Sequence, residues 1–172
     1  PRAGHFGPPY ALPYFFTEGR GVEEALSLYR RNYRPSVRHP APQATICVFA
    51  LAADTRAEAE HLLKTREHWR VGFEQGVRKP LVAPDFATTN PYTDAERATI
   101  DALRRKAIVG TGESVAALLP ELAQRLALAE LVVVTCTYDA AARRASYDPP
   151  PSAVGPASGG RHDQSRDVRC RW

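Results

Sequence analysis

The sequence predicts an α/β protein built on a parallel sheet. Two apolar runs, Ala44–Ala53 and Leu131–Val134, have the near-continuous, β-branched character of strands covered on both faces. Amphipathic helical segments precede and follow them, so helix and strand alternate along the chain. With 172 residues, 44% hydrophobic and 24% charged, the chain is long enough for one domain with a real core.

The elements follow in order. The first nine residues are rich in Gly and Pro and read as a loop. Tyr10 to Phe16 is aromatic and apolar and reads as a strand, weakened by Pro13, which cannot donate to a ladder. Thr17 to Gly21 is a turn. Val22 to Asn32 reads as a helix with Val22, Ala25, Leu26 and Tyr29 on one face. Arg30, Arg31 and Arg34 cluster at its C-terminal end, where cations suit the helix dipole, and Pro35 stops it.

Ala44 to Ala53 is the second strand, closed by Asp54-Thr55. Thr55-x-x-Glu58 fits a capping box for a helix that puts Leu62, Trp69, Phe73 and Val77 on one apolar face. Lys79 to Tyr92, with three prolines, reads as an irregular excursion of the kind that serves as a binding loop or lid. A second box, Thr93-x-x-Glu96, opens a helix with Ile100, Leu103 and Ala107 inward. Val109-Gly110-Thr111 reads as the turn that ends it. Thr111 caps the next helix, which Pro120 should kink near Ala116. The Leu131–Val134 strand and a short helix over Tyr138 to Tyr147 complete the pattern.

Residues 1–147 therefore form the folded part. Residues 148–172 are rich in Pro, Gly, Ser and Arg with few apolar side chains, so they read as a disordered or artefactual tail. The absence of methionine and the opening Pro1-Arg2-Ala3-Gly4 suggest a processed start or a fragment. The net charge is +4, and four arginines against two aspartates in 151–172 supply half of it, so nucleic-acid binding is not expected. No apolar run is long enough to span a membrane, and no signal peptide is visible, so a cytoplasmic protein is expected.

Three strands are too few to close a barrel, which needs eight strands and about 250 residues. The chain is either a small open α/β domain or the last part of a barrel. In either, ligands sit at the C-terminal ends of the strands. Thr135, Thr137 and Tyr138 occupy that position and are candidate pocket-lining residues, with Thr17 after the first strand. The plain alternative is that the threonines terminate a strand and cap the following helix. Asp54 reads as a helix cap.

His61 and His68 lie seven apart, wider than metal-binding spacing, and read as solvated. Cys47 and Cys136 read as buried thiols, and no metal site is expected. The basic pairs Arg30-Arg31 and Arg143-Arg144 read as solvated helix faces. Gly110-x-Gly112 follows a helix in this reading and lacks the third glycine of a dinucleotide fingerprint.

The segment Val109-Gly110-Thr111-Gly112-Glu113-Ser114-Val115, then Glu130 to Asp139 and Ala140 to Tyr147, resembles the end of bacterial luciferase-like flavin-dependent monooxygenases. Pro9-Tyr10-Ala11-Leu12, the helix ending Tyr33-Arg34-Pro35-Ser36, and Ala50 to Glu60 resemble the preceding units in the same order. The resemblance implies a partial (β/α)8 TIM barrel made of its C-terminal β/α units. It implies reduced FMN, or a related flavin such as a deazaflavin, and dioxygen acting on a small organic substrate, with a flavin reductase as partner. The early barrel strands of the family have no counterpart here, so the chain alone is expected to be inactive. Exposed sheet edges would favour homo-oligomers. The competing reading is a non-catalytic α/β interaction domain presenting the 80–92 loop.

Overall fold

The computed structural model describes residues 2–78, 80–128, 130–148 and 169–171. The elements run α1 (Arg2–Phe6), β1 (Tyr10–Leu12), α2 (Tyr14–Thr17), α3 (Val22–Arg31), β2 (Ala44–Ala53), α4 (Arg56–Glu74) and α5 (Pro84–Thr89). They continue with α6 (Asp94–Arg104), β3 (Ile108–Thr111), α7 (Gly112–Arg125), β4 (Glu130–Val134), α8 (Ala140–Tyr147) and β5 (Arg169–Arg171). The result is a mixed α/β chain with a parallel sheet, as the alternating pattern predicts.

The strand order is β1-β2-β4-β5, and β3 pairs with β2 off that path. Three of the pairings have a defined parallel register. Tyr10 lies opposite Ala44, Ala50 opposite Ile108, and Glu130 opposite Arg169. Ten-residue β2 is long enough to hold β1 at its start and β3 at its end.

The chain divides into two compact units. The first contains residues up to Val48, Leu118–Val134 and β5. In it α3 buries Val22, Leu26 and Tyr29 at the predicted spacing. Tyr29 Oη donates to Pro8 O at 2.9 Å and receives the Gln43 N–H at 3.2 Å, tying α3 to the strand entrances. Burial pushes the Tyr29 phenol above its ordinary pKa. Arg30 donates Nη2–H to Leu126 O at 2.6 Å and to Ala127 O at 2.8 Å. Those are orphan carbonyls just beyond the end of α7, so Arg30 caps that helix rather than facing water alone.

The second unit contains Phe49–Ala117 and the described residues from Thr135 to Asp148. Thr55 caps α4 by accepting the Glu58 N–H. Thr93 and Glu96 form the complete reciprocal box at the start of α6. Thr111 accepts the Ser114 N–H and caps α7, as predicted. Arg104 grips the buried Glu67 with two parallel bonds, Nε to Oε1 at 2.5 Å and Nη2 to Oε2 at 2.9 Å, joining α6 to α4.

Several expectations are corrected. The first strand stops at Leu12, and Tyr14–Thr17 turns into a short helix beyond Pro13. The opening loop contains α1, and the 79–92 excursion contains α5, which starts at Pro84, a residue preset for a first helical turn. Val109-Gly110-Thr111 is not a turn but part of β3. A four-residue strand with a glycine gives too weak a period to register, yet its backbone pairs with the exposed end of β2. Gly110 therefore lies inside β3 and Gly112 opens α7, and the third glycine of a dinucleotide fingerprint is missing. As expected, Pro120 lies inside helix α7.

The face of α4 is also shifted. Ala59, Leu62, Leu63 and Val71 are buried, while Phe73 and Val77 are 37% and 42% exposed. Trp69 stacks on Phe73 at 5.2 Å between ring centroids. Buried Thr65, Arg66, Glu67 and Arg70 widen the inner face beyond what an apolar stripe reveals. Arg66 lies over the Phe49 ring at 4.0 Å. Cys47 and Cys136 are half-buried rather than buried. Of the 148–172 tail, Asp148 and β5 are described, and the rest of that expectation lies outside the described residues. No helix among the described residues is long and apolar enough to cross a membrane.

Candidate functional site

The second unit holds the C-terminal ends of β2 and β3 and the segment leaving β4. Here the predicted lining residues Thr135, Thr137 and Tyr138 lie together in sequence, but they have different surroundings. Thr135 is 5% exposed and donates its hydroxyl to Ala50 O at 2.7 Å. Its N–H donates to Tyr147 Oη at 2.8 Å. Thr137 is 1% exposed and donates to Asp139 O at 2.9 Å. Tyr138 is 59% exposed. Thr17 lies in the first unit, at the end of α2, with its hydroxyl 3.5 Å from Tyr14 O.

These bonds have one physical cause. A strand residue sends its N–H and C=O to the same edge, and alternate residues share that edge. Ala50 O and Ala52 N–H therefore lie along one edge of β2. The Thr135 hydroxyl takes the first, and Ser146 Oγ accepts the second at 2.9 Å. Side chains from the β4–α8 segment thus stand where a strand partner would, and α8 is pinned to β2. Each buried group left unmatched would cost about 1–3 kcal/mol. Asp139 caps α8 by accepting the Ala142 N–H at 2.7 Å. Nothing in the sequence marks Ser146 and Tyr147, because their partners are backbone atoms on distant elements.

A hollow of about 80 Å³ lies beside this junction, lined by Ala52, Ala53, Asp54, Glu58, Leu62, Gly112, Ala142 and Ala145. Its walls are small residues with two carboxylates. Asp54 lines the hollow, and Thr55, not Asp54, is the cap of α4. Cys136 follows β4, and its thiol is pushed above the ordinary pKa by burial, against the opposing pull of Arg66 and Arg143.

A larger hollow of about 260 Å³ lies among α4, α5 and α6, lined by Lys64, Glu67, Tyr92, Arg97, Asp101 and Arg104 with three smaller or apolar neighbours. Tyr92 Oη donates to Ala87 O at 3.1 Å and lies 3.1 Å from His68 Nδ1. Burial, with Glu67 and Glu96 nearby, raises the Tyr92 pKa, so this phenol stays protonated and is no base near neutrality. His61 Nε2 lies 3.4 Å from Asp85 Oδ1. Both histidines therefore hold the 80–92 excursion instead of facing solvent alone.

Small-molecule pockets usually enclose about 300–1,000 Å³. Neither hollow reaches that range. Neither of these two hollows alone has the volume of a flavin mononucleotide site, so no chemical step through such a group is derived from them.

No family model matches the chain. Among curated proteins, it is 33% identical over 148 residues to the uncharacterized protein YwcH of Bacillus subtilis, covering 84% of this chain and 44% of that protein. It is 26% identical over 146 residues to a luciferase-like monooxygenase of Escherichia coli, covering 85% of this chain and 43% of the relative. Among solved structures, apo-MsnO8 superposes with a TM-score of 0.72 and 27% identity, over 85% of this chain and 44% of that one. The chain spans less than half the length of the curated relatives it matches. Over most of its own length, it is thus a distant homologue of a luciferase-like monooxygenase and shares the fold of the matching part of apo-MsnO8.

Proposed function

We propose that this chain is the C-terminal part of a luciferase-like flavin-dependent monooxygenase, folded as the last β/α units of a TIM barrel. The whole protein would use reduced FMN, delivered by a flavin reductase in the cytoplasm, and dioxygen to oxidise a small organic substrate. One observation carries the reading: the likeness to a named luciferase-like monooxygenase runs through about 85% of the chain rather than through one motif. The TM-score of 0.72 to apo-MsnO8 supports it at the level of the fold.

Within that reading, Thr17, Thr135, Thr137 and Tyr138 are the lining positions this chain contributes. Thr135 and Thr137 act by holding backbone at the strand ends, since their hydroxyls are already engaged. Exposed Tyr138 is the side chain of the set that is open to a ligand. Because the chain spans less than half the length of the relatives it matches, the isolated chain is proposed to lack activity.

The test is to express the longest reading frame containing this sequence beside the 172-residue chain. Flavin binding is followed by fluorescence quenching, and oxygen uptake is measured with a flavin reductase. The longer product is expected to bind flavin and the short chain not to. A longer product that neither binds reduced FMN nor consumes oxygen in a substrate-dependent way would sink the proposal.

A further inference from the structure

The larger hollow, of about 260 Å³, has chemistry that the catalytic reading does not use. Its walls come from one stretch of chain, residues 64–104, within the second unit. It shares no lining residue with the hollow beside the strand ends.

The charges around it sort into matched and unmatched groups. Glu67 is taken up by Arg104 through two parallel bonds. Arg97 is taken up by Asp94 at 3.1 Å, with both side chains well exposed. Lys64 on α4 and Asp101 on α6 are left, and neither side chain makes an ion pair or hydrogen bond with any described residue. Lys64 is also half-buried, so its ammonium gives up part of its hydration without a protein partner in return. Asp101 lies close enough to Arg104 to help raise the guanidinium pKa without pairing with it. The bonds from Arg104 to Glu67 use Nε and Nη2, so its Nη1 donors stay uncommitted.

With the matched pairs cancelling, the hollow offers one cation and one carboxylate beside an apolar wall of Ala87 and Ile100, which are both buried. A simple anion would be repelled by Asp101 and a simple cation by Lys64. A molecule carrying both charges answers both groups at once. The volume, just below the usual range of about 300–1,000 Å³, suits a molecule smaller than most pocket ligands. We propose that the hollow among α4, α5 and α6 is a binding site for a small zwitterion, an α-amino acid with an apolar side chain. Its carboxylate faces Lys64 and Arg104 Nη1, its ammonium faces Asp101, and its side chain lies against Ala87 and Ile100.

The test titrates the isotope-labelled full chain with L-leucine and follows backbone amide resonances. Saturable shifts are expected within residues 64–104. The single-charge analogues 4-methylpentanoate and 3-methylbutylamine are expected to bind at least about tenfold more weakly, since each leaves one charged group unanswered. Asp101→Asn should weaken L-leucine binding about tenfold and leave 4-methylpentanoate no weaker, while Lys64→Gln should weaken L-leucine equally and leave 3-methylbutylamine no weaker. The absence of saturable shifts in that stretch at millimolar L-leucine would overturn the proposal. So would either analogue binding as tightly as L-leucine, or undiminished L-leucine binding in both variants.

Discussion

Replacing Arg104 with alanine would strip the buried Glu67 carboxylate of both its parallel hydrogen bonds. The magnitude follows from the geometry. Glu67 is 4% exposed at its side chain, whereas Arg104 is 48% exposed. Breaking a fully buried pair costs about 3–5 kcal/mol, and an exposed pair is worth about 0–1 kcal/mol, so a half-screened one falls near 2 kcal/mol. Hydrogen bonding to Glu67 is also the largest cause of the raised Arg104 pKa, so the guanidinium stays charged throughout the accessible pH range. The assay is urea unfolding followed by circular dichroism on Arg104→Ala, Glu67→Gln and the double variant. Each single change is expected to cost about 2 kcal/mol and the double little more, giving a coupling of about 1–2 kcal/mol. If Arg104→Ala stays within about 0.5 kcal/mol of the parent, or if the two losses simply add, the pair does not join α6 to α4 as argued.

Three further outcomes are expected. Thr135→Val keeps the shape but leaves Ala50 O unmatched, and should lower stability by about 1–2 kcal/mol in the same melts. A Cβ at Gly110 would collide with Ser114 Oγ, which is bonded to Thr111 O at 2.9 Å, so Gly110→Ala should cost about 1 kcal/mol. Adding Ser114→Ala should recover most of that loss, and a double variant no more stable than the single would refute the collision. Bonds from the Thr93 backbone and side chain hold the Glu96 carboxyl below its ordinary 4.5. Its contribution is therefore present above about pH 4.5 and lost as pH falls through the lower folded value, and Glu96→Gln should flatten the acid limb of the stability curve.

What the sequence reveals here depends on how far apart the interacting groups lie along the chain. Thr93 and Glu96 are three residues apart, and both the cap and its helix are legible. The same holds for Thr111 with Ser114, and for the Val22, Leu26 and Tyr29 stripe. Strand β2 announces itself because ten residues of one character leave no other assignment. Strand β3 does not, since Ile108–Thr111 is defined by β2 rather than by its own period. Arg-Cys-Arg in β5 has no strand signature at all. At the strand ends, position alone nominates Thr135 and Thr137. It cannot tell that their hydroxyls are spent on Ala50 and Asp139, or that Ser146 completes the arrangement.

The pinning of α8 to β2 has a consequence for the growing chain. The Ala52–Ser146 bond closes over 94 residues and the Ala50–Thr135 bond over 85. At ribosomal speeds of about 5–20 residues per second, the Ala52 amide waits about 5–20 seconds for its acceptor to be made. Until then, the far end of β2 must rely on water, a chaperone or an improper neighbour for those bonds. Maturation of this unit is therefore limited by the arrival of its last helix, and a ribosome that stalls before Ser146 releases a chain with a live sheet edge.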